Sequence, residues 1–272
     1  MKTNVFNLEG KVIKEINLPS FFEENYRPDL IKRAVISSQS KSYQPKGNSP
    51  YSNRLNTAEY RGVRKPSRMK NSINTGHARL PRLKNRTVLM AGRVAGVSQA
   101  LGGPRAHPPK VSKILVKKIN SKERTKAILS AISATASKSI VSVRGSLLPE
   151  TIKTLPIIVD SSLEDVLKTK DVDSFLEKLG LIENIQKAKD AKTFRAGRGK
   201  TRGRRYKRRK SILFVLGDNK NYKSFLNIEG VDVINAKYLS INELAPGTHA
   251  GRLTIYTENA IEELKNRFSK VN

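Results

Sequence analysis

Four arrays in this sequence have the residue types of catalytic or ligand chemistry, and each lacks the spacing or context that chemistry needs. Gly199-Lys200-Thr201 ends like a phosphate-binding loop, where backbone amides cradle phosphates and the Lys reaches the terminal ones. That motif also needs a Gly at position 194 and a strand leading into it. Position 194 is Phe, and the residues before it read as helix or loop. Asp160 and Asp218 follow apolar runs, at strand ends where catalytic acids can sit. Strand-end Asp also caps helices, and capping is the reading adopted for both. His249 in APGTHAGR reads as a loop residue rather than a base, and His77, His107 and His249 lie too far apart for a local metal motif. FVLGDNKN lacks the second and third glycines of a dinucleotide turn, and no G-x-S-x-G occurs. Cys is absent, which excludes a disulfide framework and Cys-based zinc sites. Nucleotide hydrolysis, catalysis and a resident cofactor are therefore not expected.

Positive charge is what the chain has in quantity. Its 272 residues carry 53 Lys+Arg against 23 Asp+Glu, a formal net charge of +30. Self-repulsion at that charge works against compactness, and a polyanion partner is the simplest remedy. The charge is also unevenly placed. Residues 41–110 hold 15 Lys+Arg and one acid, Glu59; residues 187–210 hold 13 and one acid, Asp190. Together they carry +26 of the +30. A lone Lys cluster would read as a solvated face, but two acid-poor stretches of this length repel themselves unless a partner neutralises them.

The first stretch is rich in Gly, Pro, Ser and Asn, with few large apolar residues and no sustained period. It cannot offset the entropy of ordering with a core of its own, so it is expected to be mobile in the free chain and ordered on a partner. Arg54, Arg61, Arg64, Lys65, Arg68, Lys70, Arg79, Arg82, Lys84 and Arg86 are spaced for phosphate contacts along an extended path, with Arg93, Arg105, His107 and Lys110 following. Tyr43, Tyr51 and Tyr60 suit base stacking or hinge packing. The second stretch sets Arg195, Arg198, Lys200, Arg202, Arg204 and Arg205 among Gly197, Gly199 and Gly203, then continues with Tyr206, Lys207, Arg208 and Arg209. Arg grips phosphate bidentately and stacks on bases. Such segments often fold on their RNA.

The remaining residues must position these arms. Thr3–Leu8 and Lys11–Ile16 flank Glu9-Gly10 as a hairpin. Pro28 and Asp29 open the helix DLIKRAVISSQS, and Asn120–Glu123 has capping-box spacing before KERTKAILSAISATAS. LPIIVD (155–160), SILFVLG (211–217), VDVINA (231–236) and RLTIYTE (252–258) read as strands. SSLEDVLKT, DVDSFLEKLGL and NAIEELKNRF read as helices between or after them, with Gly180 ending the second. The alternation predicts an α/β body with an open, mainly parallel sheet flanked by helices. The expected organisation is a body of 1–42 plus 113–272, a long inserted loop of 43–112, and the basic Arg/Gly segment 187–210. No apolar run approaches the roughly 18 residues of a membrane span, and the N-terminus has no long apolar signal region. A cytoplasmic protein without membrane contact or homo-oligomer is expected.

Four stretches resemble a known family: NTGHARLPR (74–82), GGPRAHPPK (102–110), FRAGRGKTRGRRYKRRKSILFV (194–215) and NELAPGTHAGRLTIYTENA (242–260). In order and type they are similar to the universal large-subunit ribosomal protein family "L four", in its archaeal and eukaryotic-type form. The resemblance implies a structural constituent that binds large-subunit ribosomal RNA, aids its assembly and touches neighbouring large-subunit proteins. It implies that the long loop threads the RNA to the nascent-peptide exit tunnel, with Arg68, Lys70, His77, Arg79 and Arg82 as tunnel-facing candidates. It also implies that the Arg/Gly segment buries itself in the same RNA, and any structural Mg2+ would belong to that RNA. GGPRAHPPK becomes the return limb, where Gly102 and Gly103 permit RNA approach and His107 contacts RNA or packs in the loop. Two rivals follow from the residues alone. An RNA-modifying enzyme with basic arms would need a cofactor fingerprint, and a DNA-compacting chromatin protein would have little use for so long a loop.

Overall fold

Uninterrupted apolar strands need cover on both faces, and the fold supplies it. The computed structural model describes residues 1–60, 76–84, 89–217 and 221–269. Among these the chain forms β1 (Lys2–Phe6), β2 (Val12–Asn17), β3 (Ile157–Val159), β4 (Thr193–Phe194), β5 (Tyr206–Lys207), β6 (Leu213–Leu216), β7 (Asp232–Asn235) and β8 (Thr254–Thr257). β4 and β5 pair only with each other; the rest form one sheet in the order β2-β1-β3-β8-β6-β7. Only the β1–β2 pairing in that sheet is antiparallel. The helices are α1 (Pro28–Ser40), α2 (Ser121–Ala136), α3 (Lys138–Val143), α4 (Thr169–Lys178), α5 (Ile182–Asp190), α6 (Lys223–Leu226), α7 (Ile241–Leu244) and α8 (Glu258–Phe268).

Side chains alternate across β6 as a pleated strand requires. Leu213 and Val215 join a core with Ile31, Val35, Ile128, Ile132, Ile261 and Leu264 from α1, α2 and α8. Phe214 and Leu216 join a second core with Leu163, Phe175, Leu176 and Phe225. The sheet is thus the middle of three layers, an α/β fold with a mostly parallel sheet.

Two local readings change. Asn120 does precede α2, but it makes no side-chain capping bond. Glu123 instead meets Arg33 of α1 at 3.2 Å. With a cation on the neighbouring helix, the carboxylate gains more from charge than from an amide of its own turn. SSLEDVLKT forms only a 3-10 turn over Ser161–Asp165, because Glu164 turns inward as a buried acceptor. Gly180, by contrast, ends α4 as expected. At φ +72 it lets its own N–H reach the Glu177 carbonyl while the Leu181 N–H reaches that of Leu176, both at 2.9 Å.

The chain divides into two compact units, Met1–Ser42 with Val116–Asn272, and Tyr43–Leu115. The second unit contains no buried side chain among its described residues. Its described backbone hydrogen bonds come from turns and from bridges linking Glu59, Arg82 and Val94.

Candidate nucleic-acid interfaces

In the α/β unit, the Arg/Gly segment is already a β-ribbon. Thr193 and Phe194 pair with Lys207 and Tyr206, and the Arg195 N–H donates to the Arg205 carbonyl at 3.0 Å. A 3-10 turn over Arg198–Arg202 reverses the chain, and Gly203 at φ +77 closes it. The segment is thus paired and turned within the chain itself. Two aromatic rings close the ribbon across its strands: Phe194 and Tyr206 meet edge to face at 6.1 Å. The Lys200 ammonium and Arg205 guanidinium lie 5.7 Å and 5.6 Å from the centre of the Phe194 ring, and the Lys192 ammonium lies 5.5 Å from that of Tyr206. The rings offset part of the crowding of like charge. Arg198, Lys200, Arg202, Arg204, Arg205, Lys207 and Arg208 remain exposed around this frame. Arg195 is half-buried, its Nε donating to the Tyr206 carbonyl at 3.2 Å.

The ribbon is rooted in the body by charge. The Lys192 ammonium meets Glu229 at 3.3 Å, Lys210 pairs with Asp232, and Arg209 donates to the Gly145 carbonyl at 2.7 Å. Behind them Arg252 is fully buried. It donates to the carbonyls of Ser211, Glu243 and Ile212 at 2.8, 3.0 and 2.9 Å and meets Asp232 at 2.7 Å. Burial alone would raise the Asp232 carboxyl, but the charge and bonds of Arg252 and Lys210 outweigh it and hold the group below its usual range. Burial weakens Arg252's hold on its proton, and Asp232 restores part of it. Arg144 donates to the carbonyls of His249 and Pro246. Burial, then the charges of Arg252 and Arg209, pushes its pKa down to about 10.

In the Tyr43–Leu115 unit, Arg54, Arg79, Arg93, Arg105, His107, Lys110 and His77 are exposed, as are Tyr43, Tyr51 and Tyr60. Arg82 is committed within the chain: its two terminal nitrogens donate to the carbonyls of Gly92 and Ala78 at 2.8 and 2.9 Å. Lys84 pairs with Glu59 at 2.5 Å. Gly103 has an internal reason for lacking a side chain, since a Cβ there would stand 1.9 Å from the Val97 carbonyl oxygen. Gly102, at φ +71, faces open space. Pro45, Lys46, Arg105, His107, Pro108 and Lys110 line a groove of about 510 Å³. Arg61, Arg64, Lys65, Arg68, Lys70 and Arg86 lie outside the described residues, as does Asp218.

The carboxyl ends of the parallel strands, where α/β sheets commonly bind ligands, are filled by the chain itself. Glu164 accepts from the Gly217 N–H at 2.8 Å, from the Thr257 hydroxyl, and from the Asn259 amide at 3.4 Å. Asn235 donates to the Gly217 carbonyl at 2.6 Å. Asp160 stands at the N-cap position of the 3-10 turn but makes no side-chain capping bond; the Ser162 hydroxyl holds its carboxyl below the usual range, opposite to the shift a general acid needs. Glu164→Ala strands the Gly217 and Thr257 donors and is expected to cost about 1–3 kcal/mol. Chemical denaturation would read this, and a loss near zero would count against the plug. Among the described residues, no helix is long and apolar enough to cross a membrane, and no group of three or more His, Cys, Asp or Glu could hold a metal ion.

Arg144, Lys192, Phe194 and Arg252 take part without being singled out as site residues in the sequence. Lys192 and Phe194 could have been found from their place inside the basic run. Arg144 and Arg252 carry no local signal, since only the fold brings SVRG and HAGR together.

A family model described as the ribosomal protein L4/L1 family matches residues 16–267. The large ribosomal subunit protein uL4 of Methanocaldococcus jannaschii is 50% identical over 271 residues, covering 98% of this chain and 100% of the relative. That of Methanococcus vannielii is 48% identical over 98% of this chain and 100% of the relative. That of Methanosphaera stadtmanae is 43% identical over 99% of this chain and 98% of the relative.

Proposed function

The chain belongs to the ribosomal protein L4/L1 family, and from that membership we propose a structural constituent of the cytoplasmic large ribosomal subunit that binds its rRNA and neighbouring proteins. The observation that carries this is the extent of the match, residues 16–267, which takes in both basic stretches together with the α/β body. The role needs no chemical step and no resident cofactor; structural Mg2+ would be the RNA's. Binding rests on counterion release, each neutralised phosphate adding about −0.7 to the log–log salt slope on single strands and about −0.9 on duplex.

The two units divide the work. The β-ribbon offers a preshaped cationic surface anchored to a rigid sheet. The Tyr43–Leu115 unit, lacking buried side chains among its described residues, relies on rRNA for the burial it cannot supply itself. It is the segment that reaches the exit tunnel and the nascent peptide. Among the tunnel-facing candidates, His77 and Arg79 are exposed, while Arg82 braces the segment through Gly92 and Ala78.

The test is sedimentation of the native protein from cell extract. It is expected to travel with the large subunit at low salt and to leave only when salt is raised several-fold. Sedimentation as a free protein at low salt, or with chromosomal DNA, would overturn the reading.

A further inference from the structure

Within the α/β unit lies a cavity of about 710 Å³ whose lining includes Tyr26, Arg144, Lys207, Arg208, Arg209 and Lys210. No carboxylate lines it. Lys210 is neutralised by Asp232, which Arg252 shares from behind. Arg144 and Arg209 bond only backbone carbonyls and pair with no carboxylate among the described residues. The site therefore holds cationic forks whose charge the protein leaves open.

Two features show a built site rather than a crowded surface. Arg144 grips both ends of the loop Pro246–His249. Within that loop Gly247 and Thr248 lie at φ 77 and φ 76. A β-branched residue in the left-handed region is strained and persists only where its surroundings hold it. The rim residue Tyr26 is also fixed in place. The Arg27 N–H donates to the Ser130 hydroxyl at 2.7 Å, and that hydroxyl donates to the Asn25 carbonyl at 2.9 Å. One buried Ser thus pins the backbone on both sides of a ring left 43% exposed.

We propose that this cavity seats a single rRNA nucleotide, its phosphate held by Arg144 and Arg209 and its base stacked on Tyr26. The assignment rests on the rRNA-binding reading and deepens it. Each guanidinium carries five N–H donors. The carbonyls of His249 and Pro246 take one from each terminal nitrogen of Arg144, and that of Gly145 takes one from Arg209, so donors and charge remain for a phosphate. An aromatic platform takes any base by its face. Lys207 belongs both to β5 and to the cavity lining, so a strand following the ribbon runs into the seat. An acidic peptide would use the cations but not the platform.

Affinity and salt slope for a large-subunit rRNA fragment, measured on the full chain, separate the parts. Tyr26→Leu is expected to weaken binding about tenfold with the slope unchanged, and Tyr26→Phe to keep wild-type affinity. Arg209→Gln is expected to lower the slope by about one unit. Thermal unfolding of each variant checks that the body is intact, and the Tyr26→Phe result separates stacking from loss of fold. If Tyr26→Leu binds like wild type, or Arg209→Gln keeps the full slope, the seat is overturned while the rRNA reading stands. A wild-type chain without salt-dependent rRNA binding overturns that reading, and the seat with it. Loss of poly-glutamate binding in these variants, with rRNA binding intact, would assign the cavity to an acidic protein instead.

Discussion

Replacing Arg198, Lys200, Arg202, Arg204 and Arg205 by Gln should flatten the salt dependence of rRNA binding by about 3.5 to 4.5 log–log units, if each cation neutralises one phosphate. Between 50 and 200 mM salt, wild type would then lose about two more orders of magnitude in affinity than the variant. The size follows from the ribbon being preformed. Its strands are set by backbone bonds and by the Phe194–Tyr206 pair, so no ordering cost falls on these cations alone, and all stand exposed around one turn. Arg195 is left intact because its Nε braces the Tyr206 carbonyl. None of the five contributes to a core, and the relief of self-repulsion opposes the loss of the Lys200 and Arg205 contacts with the Phe194 ring. The melting temperature of the free variant should therefore stay close to that of wild type. A slope within half a unit of wild type would remove the ribbon from the interface.

What could be read before the fold was known follows the physics of each element. The runs LPIIVD and SILFVLG declare themselves as strands because a sheet covered on both faces needs nearly unbroken apolar side chains, and RLTIYTE does so by its β-branched and aromatic residues; such composition is local. The basic stretches were equally plain, since charge is additive along a chain. Partner choice was not. Glu123 had the spacing to cap its own helix, but the fold put Arg33 beside it. Glu164 lies in a run that reads as a helix, yet it fills the carboxyl edge of the sheet because Gly217 and Thr257 present donors there. The pairing of the Arg/Gly ribbon is hard to read from sequence for a related reason. Charge repulsion and glycine content both argue for disorder, and the rings that counter them are only two residues, 12 positions apart. Arg144, Tyr26 and the 246–249 loop form a cavity from segments more than a hundred residues apart, a convergence no local pattern encodes.

Arg252→Met is expected to destabilise the body by about 3–5 kcal/mol, the range seen when one partner of a buried charge pair is removed. For a body of this size that is roughly 6–20 °C in melting temperature. Arg252 looks like a surface residue opening a strand, but its guanidinium satisfies three carbonyls, those of Ser211, Ile212 and Glu243, besides pairing with Asp232. Met fills the space and meets none of these needs. Arg252→Lys should fall between the two, since a single ammonium cannot serve four acceptors spread around a planar fork. The pH dependence gives the sharper signature. In wild type the Asp232 carboxyl titrates below its unfolded value, so its contribution is present above that value and is lost as pH falls through the lower, folded one. In the Met variant Asp232 keeps Lys210 but loses the Arg252 charge, so its carboxyl is held less far down than in wild type and its ionisation stabilises the fold less. The part of the wild-type advantage that comes from Asp232 fades as the group protonates, so the stability gap between wild type and Arg252→Met should shrink as pH is lowered from 7 towards 3. Denaturation midpoints across that range would show it; a gap that is constant or widens on acidification would mean that the Arg252–Asp232 pair is not what ties the root of the ribbon to the sheet.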